Sequence, residues 1–178
     1  IADTLNNNGC VLVYLSKSKI LNGSYYEDYG KYISLCQPVD DGRVEIMNRL
    51  KEFTGGSTAQ HDYHYSSFID LLKKGVVTHH GSLPLNARIL LEEFVKKGYC
   101  RICFATSTLE QGVNMPFDLV CLDRLDSSKP LFVKNLIGRA GRSTDEFKFD
   151  YGIVVVNHSS ISDFRNIFNQ DVPLDNVS

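Results

Sequence analysis

Short runs of about four to six apolar residues alternate along this chain with longer stretches in which apolar residues recur every three or four positions. The runs "CVLVYL" (10–15), "GVVTHH" (75–80), "RICFAT" (101–106), "DLVCL" (118–122) and "YGIVVVN" (151–157) are predicted strands. Most are apolar without interruption, which implies burial on both faces. That pattern predicts an α/β fold in three layers, a mainly parallel sheet flanked by helices.

The stretch "LPLNARILLEEFVKKG" predicts the clearest helix, from about residue 83 to 97. Ala87, Leu90, Leu91, Phe94 and Val95 fall on one face, Pro84 suits the first turn, and Lys96 and Lys97 precede the stop at Gly98. This helix joins the strand at 75–80 to the one at 101–106, a unit whose crossover should be right-handed. Between residues 22 and 74, "SYYEDYGKYISLC", "DGRVEIMNRLKEF" and "YHYSSFIDLLKKG" predict a helical elaboration, broken by the turn-forming "QPVDDG" and "TGGSTAQHD". A short helix is expected in "SISDFRNIFNQ", and the last seven residues are expected to be loose.

The 178 residues suit one domain, 1–178. No apolar run nears the roughly 20 residues of a membrane span. A net charge of −2 excludes holding nucleic acid by bulk positive potential, so any phosphate contact must be local. The five cysteines are odd in number and mostly sit in apolar stretches, as suits a reducing intracellular compartment, cytoplasmic or, in a eukaryote, nuclear. Cys100 and Cys103 form a C-x-x-C, and His61 and His64 are three apart, but a zinc ribbon needs a second pair at a defined spacing. They read as buried thiols and loop histidines. The chain opens at Ile1 without a leader sequence and is expected to be a piece of a longer protein.

Ligands of open parallel sheets bind beyond the carboxyl ends of the strands. The residues there are "SKSK" (16–19), "HHGSLP" (79–84) and "TSTLEQGVNMP" (106–116), each carrying hydroxyls, a cation or a glycine. Hydroxyls and free backbone N–H groups at a helix start bind phosphate. Ser16, Ser82 and Ser107 are also candidate helix N-caps. Farther on, "NLIGRAGR" (135–142) sits in a predicted helix from 130 to about 141, with Val133, Leu136, Ile137 and Ala140 as its apolar stripe. On that helix Asn135, Arg139 and Arg142 lie within roughly 60° of one another, opposite the stripe. Gly138 and Gly141 each cost about 1 kcal/mol there, which suggests that something approaches closely. Two guanidinium forks beside it suit a phosphate chain.

With these motifs in place, the chain resembles the second RecA-like domain of superfamily 2 helicases, nearest the superkiller-type DExH branch. "CVLVYLSKS" looks like motif IV, "VVTHHGSLPLNARILLEEFVKKG" like motif IVa, "FATSTLEQGVNMP" like motif V and "NLIGRAGR" like motif VI, in the family's order across residues 10–142. The resemblance implies an ATP site shared with a preceding RecA-like domain. Arg139 and Arg142 match the arginine fingers, and Gly112 and Asn114 match the nucleotide-facing end of motif V. Thr106 matches the hydroxyl that holds a phosphate of the DNA or RNA backbone, with Ser107, Ser16, Lys17, His80 and Gly81 as its neighbours.

One position departs from the pattern. The family usually opens motif VI with glutamine, or histidine in the DEAD-box branch, near the attacking water. Asn135 is one methylene shorter, which implies slower hydrolysis or another group in that task. No G-x-x-x-x-G-K-[ST] loop and no DExH or DExD motif occurs in these residues. The resemblance therefore implies that ATP and Mg²⁺ are cradled by the preceding domain, and that this piece alone should not hydrolyse ATP. A nonhydrolysing nucleic-acid-binding or scaffold module that kept the fold is the alternative.

Overall fold

A computed structural model describes residues 1–38, 42–54, 67–107, 115–141 and 152–170. All five predicted strands form, as β1 (Val11–Tyr14), β2 (Val76–His79), β3 (Ile102–Ala105), β4 (Leu119–Leu122) and β5 (Ile153–Val156). They make one sheet in the order β2-β3-β1-β4-β5, and every pair is parallel. Alternate residues of each strand point to opposite faces, and both faces are covered. Val11 and Val13 of β1 join one apolar cluster, and Leu12 and Tyr14 join the other.

The first face packs under α1 (Ala2–Asn6), α2 (Lys17–Leu21) and α3 (Tyr25–Ile33), through Leu5, Ile20, Tyr25, Tyr29 and Ile33. The second packs under α4 (Arg43–Thr54), α5 (Ser67–Lys73), α6 (Leu85–Lys96), α7 (Pro130–Ile137) and α8 (Ile161–Asn169). The result is the three-layer α/β architecture of a RecA-like domain. Among the described residues no helix is long and apolar enough to cross a membrane.

The helix expected at about 83–97 is α6, its stripe of Ala87, Leu90, Leu91, Phe94 and Val95 wholly buried. Its end is a Schellman turn: Tyr99 N–H donates to Phe94 C=O at 3.2 Å, and Gly98 N–H to Val95 C=O at 3.0 Å. The Tyr99 and Phe94 rings meet edge to face across it, 5.5 Å apart. The helical stretch expected at 22–74 contains α3, α4 and α5, divided between the two faces. The short helix expected near the end is α8. The seven final residues, half of the turn "QPVDDG", most of "TGGSTAQHD", and His61 and His64 lie outside the described residues.

The expectation for residues 130–141 is corrected in part. The helix stops at Ile137, with Gly138 as its C-cap. Arg139 and Ala140 then donate to Leu136 and Ile137 carbonyls three residues back, at 3.1 and 3.0 Å, which tightens the last turn. Ala140 next forms a parallel bridge with Phe117, just before β4. Gly141 carries a φ of +75°, a left-handed conformation that glycine adopts without strain. The helical face expected to hold Asn135, Arg139 and Arg142 together therefore does not extend past Ile137.

Candidate functional site

The sheet order decides which strand ends are neighbours. β2, β3 and β1 lie side by side, so the residues following them converge on one edge, the carboxyl edge. Ser16 and Lys17 follow β1, His80 and Gly81 follow β2, and Thr106 and Ser107 follow β3. The seams are stitched by backbone bonds from Thr106 N–H to His79 C=O at 3.2 Å and from Leu15 N–H to Ala105 C=O at 3.1 Å. Lys17, Gly81 and Ser107 are exposed, whereas Thr106 and His80 are buried.

Of the candidate N-caps, Ser16 fills the role: its Oγ accepts from Lys19 N–H at 3.3 Å at the start of α2. Ser82 does not, because Pro84 occupies the N-cap of α6 with no side-chain cap. The Ser82 N–H instead donates to His80 Nδ1 at 3.3 Å. Gly112, Asn114 and Arg142 lie outside the described residues.

Arg139 stands elsewhere. α7 runs back from the carboxyl end of β4, and the Phe117–Ala140 bridge puts the turn holding Arg139 beside the amino end of that strand. Gly141 N–H donates to Phe117 C=O at 2.8 Å and fixes this turn. A four-residue strand spans about 13 Å, so the backbone of Arg139 is separated from the carboxyl edge by the depth of the sheet. Arg139 is half-buried and Asn135, a turn earlier on α7, is exposed. Gly152 packs against this turn so tightly that a Cβ there would lie 2.6 Å from the Ala140 carbonyl oxygen. The turn holding Arg139 thus lies on the edge opposite the one where the loops after β1, β2 and β3 gather.

A polar brace on the carboxyl edge escaped the sequence reading. Lys19 Nζ donates to both Asp123 oxygens, at 3.0 and 3.2 Å, and to Asp28 at 2.8 Å. Tyr29 O–H donates to Asp123 Oδ1 at 2.9 Å, and Asn157 Nδ2 to the Asp123 carbonyl at 3.2 Å. The ends of β1, β4 and β5 are thereby tied together. The Asp28 hydrogen bond, above all, raises the Lys19 pKa, and burial raises that of the Tyr29 phenol. These residues are scattered over more than 130 positions, so no local spacing marks them.

Behind Thr106, His79 Nε2 lies 3.3 Å from Glu92 Oε1 of α6. Burial lowers the His79 pKa more than the carboxylate raises it, so the contact is a hydrogen bond of neutral imidazole. Burial also lowers that of His80, helped by the charge of Lys17. Both folded values sit below the ordinary 6.5. The unfolded chain then binds more protons as pH falls below about 6.5, and folding stability declines with it. Thermal unfolding at pH 7.5 and 5.5 should show a lower midpoint at pH 5.5. The His79→Gln,His80→Gln double variant should lose part of that difference.

Cys100 and Cys103 are buried in the core, and burial raises the Cys100 thiol pKa well above its ordinary value. Among the described residues no three His, Cys, Asp or Glu side chains are grouped to hold a metal ion.

Comparison with known proteins bears on what these edges do. The helicase conserved C-terminal domain family matches residues 30–144. The chain is 28% identical over 116 residues to the U5 small nuclear ribonucleoprotein 200 kDa helicase of Caenorhabditis elegans, covering 60% of this chain and 5% of that protein. It is 29% identical over 152 residues to the ATP-dependent DNA helicase Hel308 of Caldivirga maquilingensis, covering 79% and 19%. It is 41% identical over 95 residues to the Hachiman protein HamB of Bacillus cereus, covering 49% and 8%. The chain thus spans between a twentieth and a fifth of the length of these relatives.

Proposed function

Because this chain belongs to the helicase conserved C-terminal domain family, we propose that it is the C-terminal motor domain of an ATP-dependent nucleic-acid helicase or translocase. In this reading its carboxyl edge grips the strand and its amino edge completes an ATP site with a preceding RecA-like domain. The observation that carries the first half is the convergence of Ser16, Lys17, His80, Gly81, Thr106 and Ser107, from three distant segments, on the adjacent ends of β1, β2 and β3. Hydroxyls, backbone N–H groups and one exposed lysine there suit phosphates and carry no base code.

For the second half, Gly138 is the supporting detail. It is exposed and in right-handed conformation, and among the described residues an added Cβ would meet nothing closer than the Lys134 carbonyl oxygen at 3.4 Å. The described residues leave alanine room, so the absence of a side chain beside Arg139 fits close approach by a neighbour. Arg139, with Arg142, would reach across to the γ-phosphate and stabilise charge as it builds in transfer. In related nucleotide hydrolases such an arginine is worth about 10³ to 10⁵ in rate. Asn135 would stand near the water. Mg²⁺ and the phosphate cradle are assigned to the preceding domain, as are Gly112 and Asn114 to contact with the nucleotide from this one.

Separating grip and trigger by the thickness of the sheet gives the domain a lever. α7 runs from one edge to the other, so closure on ATP at Arg139 would be transmitted to the strand ends and the brace at Asp123. ATP hydrolysis by the intact protein, measured with and without a single strand, tests the reading. Turnover raised by the strand is expected, and its absence would leave only a nonhydrolysing binding module.

A further inference from the structure

A cavity of about 270 Å³ opens on the carboxyl edge where β2 meets α2, α3 and α5. Its lining is mixed: Ile20, Tyr25, Phe68 and Leu71 supply apolar and ring surface, and Ser67 with two side chains of β2 and its exit, Thr78 and His80, supply polar surface. These two alternate on the same face as Val76. Both are more than nine-tenths buried, at 6% and 8% exposure. Among the described residues the Thr78 hydroxyl has no hydrogen-bond partner, and it is not sealed from the cavity. His80 accepts the Ser82 N–H on Nδ1, so the neutral ring carries its proton on Nε2 and keeps one donor unspent.

A hydroxyl and an imidazole donor that face an open cavity beside two aromatic rings can both meet the polar edge of a flat ligand. We propose that the cavity takes one unstacked nucleobase of the bound strand, Tyr25 and Phe68 supplying ring contact and Thr78 and His80 meeting the base edge. The size fits this occupant: the cavity lies just under the roughly 300 Å³ at which pockets for extended small molecules begin. The position fits as well. His80 belongs to both the cavity and the phosphate-facing edge, and Lys17 is close enough for its charge to lower the His80 pKa. A base entering here leaves its phosphate beside a cation. The inference rests on the nucleic-acid reading of the edge and adds to it a single site of base contact in an otherwise sequence-independent grip.

The test uses the intact protein and a single strand in which one abasic nucleotide is walked through the bound length, with affinity measured at each position. One position should stand out, with binding weakened about tenfold, as expected for loss of a base–aromatic contact. Thr78→Val, which removes the hydroxyl at constant shape, should lower that peak. Ser67→Phe, which fills the cavity from the start of α5, should erase it. A flat profile with tight binding overturns the base pocket and leaves the phosphate grip standing, and so does a peak that survives both substitutions. No binding of any strand, DNA or RNA, overturns the grip and the pocket together.

Discussion

Arg139→Ala in the intact protein is expected to lower strand-stimulated ATP turnover by about a thousandfold or more while ATP still binds. Arg139 closes the turn after α7, at the amino edge of β4, where the Phe117–Ala140 bridge and Gly141 fix the backbone. A guanidinium acting on charge that develops only during transfer should be lost from kcat, leaving KM within a few fold. Arg139→Lys keeps the charge but loses the planar fork, so it should recover only a small part of the rate. Unchanged turnover in Arg139→Ala would remove this residue from the ATP site. A large rise in KM alone would make it a binding contact.

Phe104→Ala should cost about 3 to 5 kcal/mol of folding stability. Phe104 is fully buried in β3, a strand with neighbours on both sides, between Val13 and Thr78 in register. Its ring centre lies 4.7 Å from that of Tyr25 and 5.6 Å from that of Tyr29. Truncation leaves a void under α3 that its two tyrosines fill only by moving, and those tyrosines also serve the cavity and the Asp123 brace. The loss would be a large share of the 5 to 15 kcal/mol typical of a domain. Urea unfolding should show it as a lower midpoint at unchanged slope. A loss below about 1 kcal/mol would mean that α3 is not packed on β3 as described.

The strands were legible because burial on both faces leaves unbroken apolar runs, and α6 because its stripe, its proline and its glycine agree. Strand order was not legible, since β1 stands between β3 and β4 through contacts that no local pattern encodes. That order is what makes neighbours of Ser16, His80 and Thr106. The helices α1 and α2, five residues each, are too short to show a period. "NLIGRAGR" misled for a physical reason. Its spacing is helical to the end, but two tight turns, a left-handed glycine and a bridge to Phe117 outweigh local propensity and end the helix at Ile137. The bridge depends on a residue 23 positions away from Ala140, and the buried Thr78 hydroxyl shows itself only once α3 and α5 enclose it.

In the proposed reading, this domain couples a strand held at one edge of the sheet to ATP hydrolysis triggered at the other. Steady-state ATP turnover of the intact protein, with and without a single strand, tests it most directly. Turnover should rise with the strand and saturate with it, and Arg139→Ala should lose that rise. Turnover indifferent to the strand, or a stimulated rate that Arg139→Ala leaves intact, would contradict it.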